Sequence, residues 1–210
     1  DKFTVTVNIT PITTTDPEII EIAYHSAFQD NDYIRPKVII EVSGRSMNEP
    51  VTPVLLRSFI DEVFTEAPFT ERPFEVRAVV PERTFLEKIF LLHEEFAKPK
   101  EQIRTERMSR HIYDISQMMD TPIAERALKN KTLYDSVVEH RRIFIGLKGF
   151  DYSTLQPKTL SIVPPADVIE LWRKDYKVMQ ETMIYGDSLP FDKLIEKIQM
   201  LNDSINSIEH

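Results

Sequence analysis

The chain has 210 residues, 41% of them apolar and 10% aromatic, and a net charge of -8. This is enough for one large core or two small ones. No run nears the roughly 18 to 20 apolar residues of a membrane span, and the acidic balance argues against a general grip on nucleic-acid phosphates. With no cysteine and five scattered histidines, disulfides and thiolate zinc sites are excluded, and any metal would be a hard cation held by carboxylates. The four glycines, at 44, 146, 149 and 186, form neither a Walker loop nor a GxGxxG turn. No signal peptide opens the chain, which predicts a soluble, cytoplasmic protein without a membrane partner.

Phe3 to Ile9 alternates apolar and polar residues, the pattern of a half-buried strand. Glu18 to Phe28 reads as a short helix, and Val38-Ile39-Ile40-Glu41-Val42 as a second, more buried strand. Val54 to Thr65 carries Leu55, Leu56, Phe59, Ile60 and Val63 at helical spacing, and Phe74 to Val80 reads as a strand. The predicted order up to residue 80 is β-α-β-α-β. From Glu82 onward the pattern is helical, with segments near 82–98, 102–119, 122–129, 131–144, 165–183 and 190–208. Pro165 suits a helix start, and Ser188 or Asp192 suits the cap of the last helix. These elements predict an α+β protein with a boundary near residue 80: a mixed α/β part over 1–80 and a helical part over 81–210.

The chemistry concentrates between Pro81 and Met119. Phe85, Ile89, Leu92 and Phe96 form one apolar stripe, and Lys88 sits on its flank beside Thr84 and Leu92. Lys88 is either a snorkelling lysine paired with Glu87 or Glu95 or a point charge for a triphosphate. On the next helix Met108, Ile112, Ile115 and Met119 make the core stripe, with Arg107, Arg110 and Asp114 beside it. Asp114 either pairs within its own helix with Arg110 or Arg107, or turns inward to orient Lys88, contact a metal or take a proton while Arg110 meets a phosphate. Glu41 lies in an apolar strand, where a buried carboxylate needs a partner or a metal. His93 and His111 read as solvent-facing or internally satisfied. A nuclease with a lysine two residues after its strand acid is excluded, because Ser43 stands there.

These segments resemble the AbiEii toxin family of nucleotidyltransferase-like proteins, the toxin half of AbiE-type toxin–antitoxin pairs. The resemblance lies in Val80 to Ile89 and Arg107 to Ile115, and continues through Trp172 to Met179, Met183 to Gly186 and the helix at Phe191. It implies a nucleotidyltransferase-type α/β domain followed by a helical domain. Strand carboxylates would hold Mg2+, and a nucleotide would pass from an NTP to an acceptor, RNA or a tRNA end by family analogy, with a cognate antitoxin as protein partner. Lys88 is similar to the family's phosphate-binding lysine, Asp114 to the acid of its Arg-x-x-x-Asp helix motif, and Glu41 to its third strand acid. The family's Gly-Ser turn with paired acids has no counterpart in these residues, so an upstream segment is expected to supply it. A nucleotidyltransferase-fold binding module without catalysis is the competing expectation. For an RNA patch the candidates are Arg104, Arg107, Arg110, Arg141, Arg142 and Lys148.

Overall fold

A computed structural model describes residues 3–8, 18–26, 35–44 and 47–208. Strands β1 (Phe3–Asn8), β2 (Glu18–Tyr24) and β3 (Lys37–Val42) form an antiparallel meander in the order β1-β2-β3. Strand β4 (Val51–Leu56) and strand β5 (Phe74–Val79) form a separate antiparallel pair around the short helix α1 (Phe59–Val63). Six helices follow: α2 (Pro81–Phe96), α3 (Ser109–Met119), α4 (Pro122–Lys129), α5 (Lys131–His140), α6 (Ile169–Thr182) and α7 (Phe191–Asn206). The mixed α+β class expected from the sequence is what the chain adopts.

The order of the first half differs from the expected alternation. The segment expected as a helix over 18–28 is the central strand of the meander through Tyr24, paired with β1 on one side and β3 on the other; residues 27 and 28 lie outside the described residues. Ile19, Ile20 and Ile22 favour this outcome, because β-branched side chains lose rotamer freedom in a helix and fit a pleated surface. In the segment 54–65, residues through Leu56 pair with β5, and only Phe59–Val63 is helical. Ser58 starts that turn by accepting a hydrogen bond on its hydroxyl from the Asp61 amide at 3.1 Å. Strand β3 forms as expected but is not buried. It lies at a sheet edge with Val38 52% and Ile39 49% exposed, so both faces of the strand meet solvent.

Among the described residues, every fully buried apolar side chain belongs to the segment from Phe85 onward. Helix α2 is the central rod, packed by α3, α4 and α5. Phe85, Leu86, Ile89, Phe90 and Leu92 are all fully buried, so α2 is apolar over more than one stripe, as a helix surrounded by others must be. Phe90 meets Tyr134 edge to face at 5.0 Å, and Phe96 meets Trp172 at 5.1 Å.

The helix ends shift for local reasons. Helix α3 begins at Ser109 rather than near 102, because Lys100–Gln102 forms a separate 3-10 turn. Helix α6 begins at Ile169, after a turn in which the Val168 amide donates to the Pro165 carbonyl. Neither expected side-chain cap holds α7. Its N-cap is Pro190 without a side-chain bond, and the Ser188 hydroxyl instead accepts from Gln180 at 2.8 Å.

Candidate functional site

Packing of α2 against α3 brings Lys88 and Asp114 together, with Lys88 Nζ 2.8 Å from Asp114 Oδ2. The lysine side chain is 20% exposed and the aspartate 42%, so the pair lies at the mouth of the seam between the helices. The neighbouring acids are engaged elsewhere: Glu87 receives Arg83 Nε at 2.9 Å, and Glu95 receives Arg104 and Lys98. Of the partners open to Asp114, the ion pair in the structure is with Lys88 across the seam. The chemical content is a cation held in place by one carboxylate and still reachable by an anionic ligand.

The surroundings add positive charge. Arg110 is exposed one turn before Asp114. His111 is half-buried beside them, and its Nδ1 has no hydrogen-bond partner in the protein. Burial, then the charges of Lys88, Arg110 and Arg104, push its pKa down to about 4 against the opposing effect of Glu95. Burial is the larger cause and the three cations add to it, so the imidazole stays neutral near pH 7. His93 is also shifted down by burial, and it is not solvent-facing. It is 7% exposed, with Nε2 3.0 Å from the Thr154 hydroxyl and Nδ1 accepting the Ser161 amide at 2.9 Å.

A stability prediction follows from these two histidines. Their folded pKa values lie below the unfolded one, so the unfolded chain binds more protons as the medium acidifies through the histidine range. Their contribution is complete above the unfolded value of about 6.5 and falls as pH drops toward the folded values. The urea midpoint should decrease between about pH 7 and about pH 5, and His111→Asn should flatten part of that slope. A midpoint that does not change over this range would contradict the assignment.

Two acids remote in sequence hold the loop before α3. Glu95, 1% exposed, accepts the Arg104 amide at 2.7 Å and Arg104 Nε at 2.8 Å, and also Lys98 Nζ at 2.8 Å. Burial alone would push its carboxyl up, but these donors outweigh it and keep the group ionised. Asp175 of α6 accepts the Arg107 amide at 2.6 Å, the Ser109 amide at 2.9 Å and the Ser109 hydroxyl at 2.5 Å. Helix α3 has no side-chain cap from its own N-cap residue, Met108, so Asp175 supplies one from another helix. Arg107 adopts a φ of 57° at this point, in the left-handed region that a non-glycine residue enters at a cost. Removing the carboxylate with Asp175→Ala should destabilise the fold by about 1–2 kcal/mol, the usual loss of a cap, as read by urea unfolding. No measurable change would show that the three bonds contribute nothing.

The expected RNA-facing cations separate into two groups. Arg141 is not available: it is 9% exposed and bound through Nε at 2.7 Å and Nη2 at 2.5 Å to Glu94, itself 4% exposed. Arg142 is exposed and paired with Glu139 at 2.6 Å. Arg104 is exposed, but its guanidinium is bound to Glu95 at 2.7 Å; Arg107, Arg110 and Lys148 are exposed, and Arg104, Arg107 and Arg110 lie on or just before α3.

Glu41 stands on the exposed edge strand β3, with Ile19 as its register partner on β2. Among the described residues no three histidine, cysteine or acidic side chains come together in a way that could hold a metal ion. Glu41 alone does not fit Mg2+, which takes carboxylates together with substrate phosphates in an octahedral shell.

Among the described residues no helix is long and apolar enough to cross a membrane. A family model described as "Nucleotidyl transferase AbiEii toxin, Type IV TA system" matches residues 1–197. No curated protein and no solved structure matches the chain.

Proposed function

The chain belongs to the AbiEii nucleotidyl transferase toxin family, and from that membership we propose that the full-length protein transfers a nucleotide from an NTP to an RNA acceptor, a tRNA end being the leading candidate. A nucleotide substrate and an antitoxin partner come with the family. The observation that carries the reading is the Lys88–Asp114 pair at 2.8 Å, with the exposed Arg110 one turn before Asp114. A triphosphate needs cations that are ordered but not sequestered, and this seam offers them.

In this reading Lys88 binds the nucleotide phosphates, Asp114 fixes the direction of the ammonium group, and Arg110 and Arg107 supply further phosphate contacts. The acceptor hydroxyl passes its proton to solvent water, its oxygen bonds to the α-phosphorus, and pyrophosphate leaves with the electron pair of the broken phosphorus–oxygen bond. The NTP enters as its Mg2+ complex, the ion being carried on the phosphates. Residues 81–210 act as the helical part that presents Lys88 and Asp114 to the nucleotide.

A second reading is favoured by one observation, the lack of a metal-holding acidic cluster among the described residues. It makes the chain a nucleotidyltransferase-fold binding module that acts through a protein partner. The two separate in one experiment, in which full-length protein is incubated with Mg2+, total RNA and each of the four labelled NTPs in turn. Label on RNA supports the transferase and names its nucleotide. Absence of label with all four would favour the binding module.

A further inference from the structure

His111 stands one turn before Asp114 on the same face of α3, about 4.5 Å away along the helix axis. Asp114 meets Lys88 at 2.8 Å, and Arg104, in the loop before α3, meets Glu95 at 2.7 Å two turns further along α2. His111 therefore lies along the seam between two ion pairs, one of which holds the lysine assigned above to the nucleotide phosphates. The charged groups that act on it come from both sides of the seam: Lys88 and Glu95 from α2, Arg104 from the loop and Arg110 from α3 itself. The other helices packed on α3 engage their charges elsewhere, Asp175 of α6 with the Arg107 and Ser109 amides, Arg126 of α4 with Glu82 and Lys197 of α7 with Asp120.

The half-buried ring has an incomplete set of bonds. Its Nδ1 is enclosed and has no hydrogen-bond partner, an arrangement that costs a polar nitrogen free energy. Burial, and then three cations against one carboxylate, disfavour the charged form. A triphosphate at Lys88 reverses the second of these causes. Its oxygens bring several negative charges to the seam, offset Lys88 and Arg110, and supply acceptors for an imidazolium N–H. A charge-assisted bond of that kind is about twice as strong as one from the neutral ring.

We propose that His111 is a further phosphate-binding residue of this site, whose imidazole takes one proton from solvent as the triphosphate binds and returns it to solvent when the products leave. This rests on the reading of Lys88 as the phosphate cation, and adds to it a positive charge that exists only with the nucleotide in place. An imidazolium has no free lone pair, so His111 binds phosphate and is not the base for the acceptor hydroxyl. The sign of the linkage follows. Because the ring is more basic in the complex than in the free protein, triphosphate binds more tightly as pH falls through the value of the complex.

The test is isothermal titration calorimetry of inorganic triphosphate with Mg2+ into the full-length protein and its His111→Asn variant, in buffers of different ionisation enthalpy. The dependence of the heat on the buffer gives the protons taken up, and the variant subtracts the exchange of the ligand and of every other group. The expected difference at about pH 6 is about half a proton or more per triphosphate, with affinity about threefold or more lower in the variant. A second readout needs only the unmodified protein: on addition of triphosphate at the same pH, the NMR shifts of the His111 ring should move to imidazolium values. Binding without proton uptake by His111 and without that movement would overturn the inference and leave the Lys88 site standing. No binding of triphosphate by the unmodified protein would overturn both. Failure of the transferase reading alone shows up elsewhere, as a protein that binds triphosphate but moves no label to RNA, while the calorimetry still decides the role of His111.

Discussion

Lys88→Ala should lower nucleotide transfer by about 100- to 1,000-fold, the scale on which loss of one charge-stabilising group acts in a preorganised site. The same change should leave the fold almost untouched. The Lys88–Asp114 pair is 20% and 42% exposed on its two sides, and an ion pair in that position is worth at most about 1 kcal/mol to stability. Activity and stability thus part company at this residue, which is what distinguishes a ligand-binding cation from a structural one. Asp114→Asn should act in the same direction, since the amide keeps the shape but no longer holds the ammonium group by charge. Lys88→Arg should recover only part of the rate, because a planar guanidinium does not replace a compact point charge. The measurement is initial transfer rate at saturating NTP beside the urea midpoint of each variant. Equal loss of activity and stability, or full activity in Lys88→Ala, would contradict the assignment.

The second large effect belongs to stability. Glu94→Ala should destabilise the protein by about 3–5 kcal/mol, because it leaves the Arg141 guanidinium buried without its counter-charge. The pair is bidentate and both side chains are nearly enclosed, with 5% and 11% of their surface exposed for Glu94 and Arg141. It ties the C-terminal half of α2 to the end of α5. The double replacement Glu94→Leu with Arg141→Met should recover most of the loss, since apolar groups of similar size need no partner. Urea unfolding of the two variants checks both statements. A loss below about 1 kcal/mol for Glu94→Ala would mean that the guanidinium finds water on the bond's removal.

The helical half was legible because its signal is periodic and long. Phe85, Ile89 and Leu92 share a stripe in the sequence and a buried face in the structure. The strands were less legible. Glu18 to Phe28 and Val54 to Thr65 are short apolar runs that fit either period, and the choice was made by strand partners, β1 and β3 for the first and β5 for the second. Val38 to Val42 looked buried because it is apolar; edge position exposed it, and composition does not carry that information.

At the site, the sequence offered Lys88 and Asp114 separately but left their meeting open, because a contact between two helices depends on how they pack. Glu94 and Asp175 were missed for a related reason, and Glu95 was read as a possible partner of Lys88 where the structure gives it Arg104 and Lys98. Glu94 takes its partner Arg141 from 47 residues away, and Asp175 caps Ser109 from 66 residues away. The available signal was three consecutive polar residues, His93-Glu94-Glu95, directly after the apolar run Ile89 to Leu92, where each needs a partner once buried. Arg141 was taken as an RNA contact on charge alone, and burial reversed that reading.

In the proposed reaction a nucleotide, and not a phosphate, leaves the NTP at a site formed by Lys88 and Asp114. The most direct test runs the full-length protein with RNA and the preferred NTP labelled either at the α- or at the γ-phosphorus, with Lys88→Ala alongside. The expected result is α-label on RNA, γ-label in released pyrophosphate, and neither with the variant. Label from the γ-position on RNA would make the reaction phosphoryl transfer, and transfer of α-label undiminished in Lys88→Ala would remove the site from the chemistry.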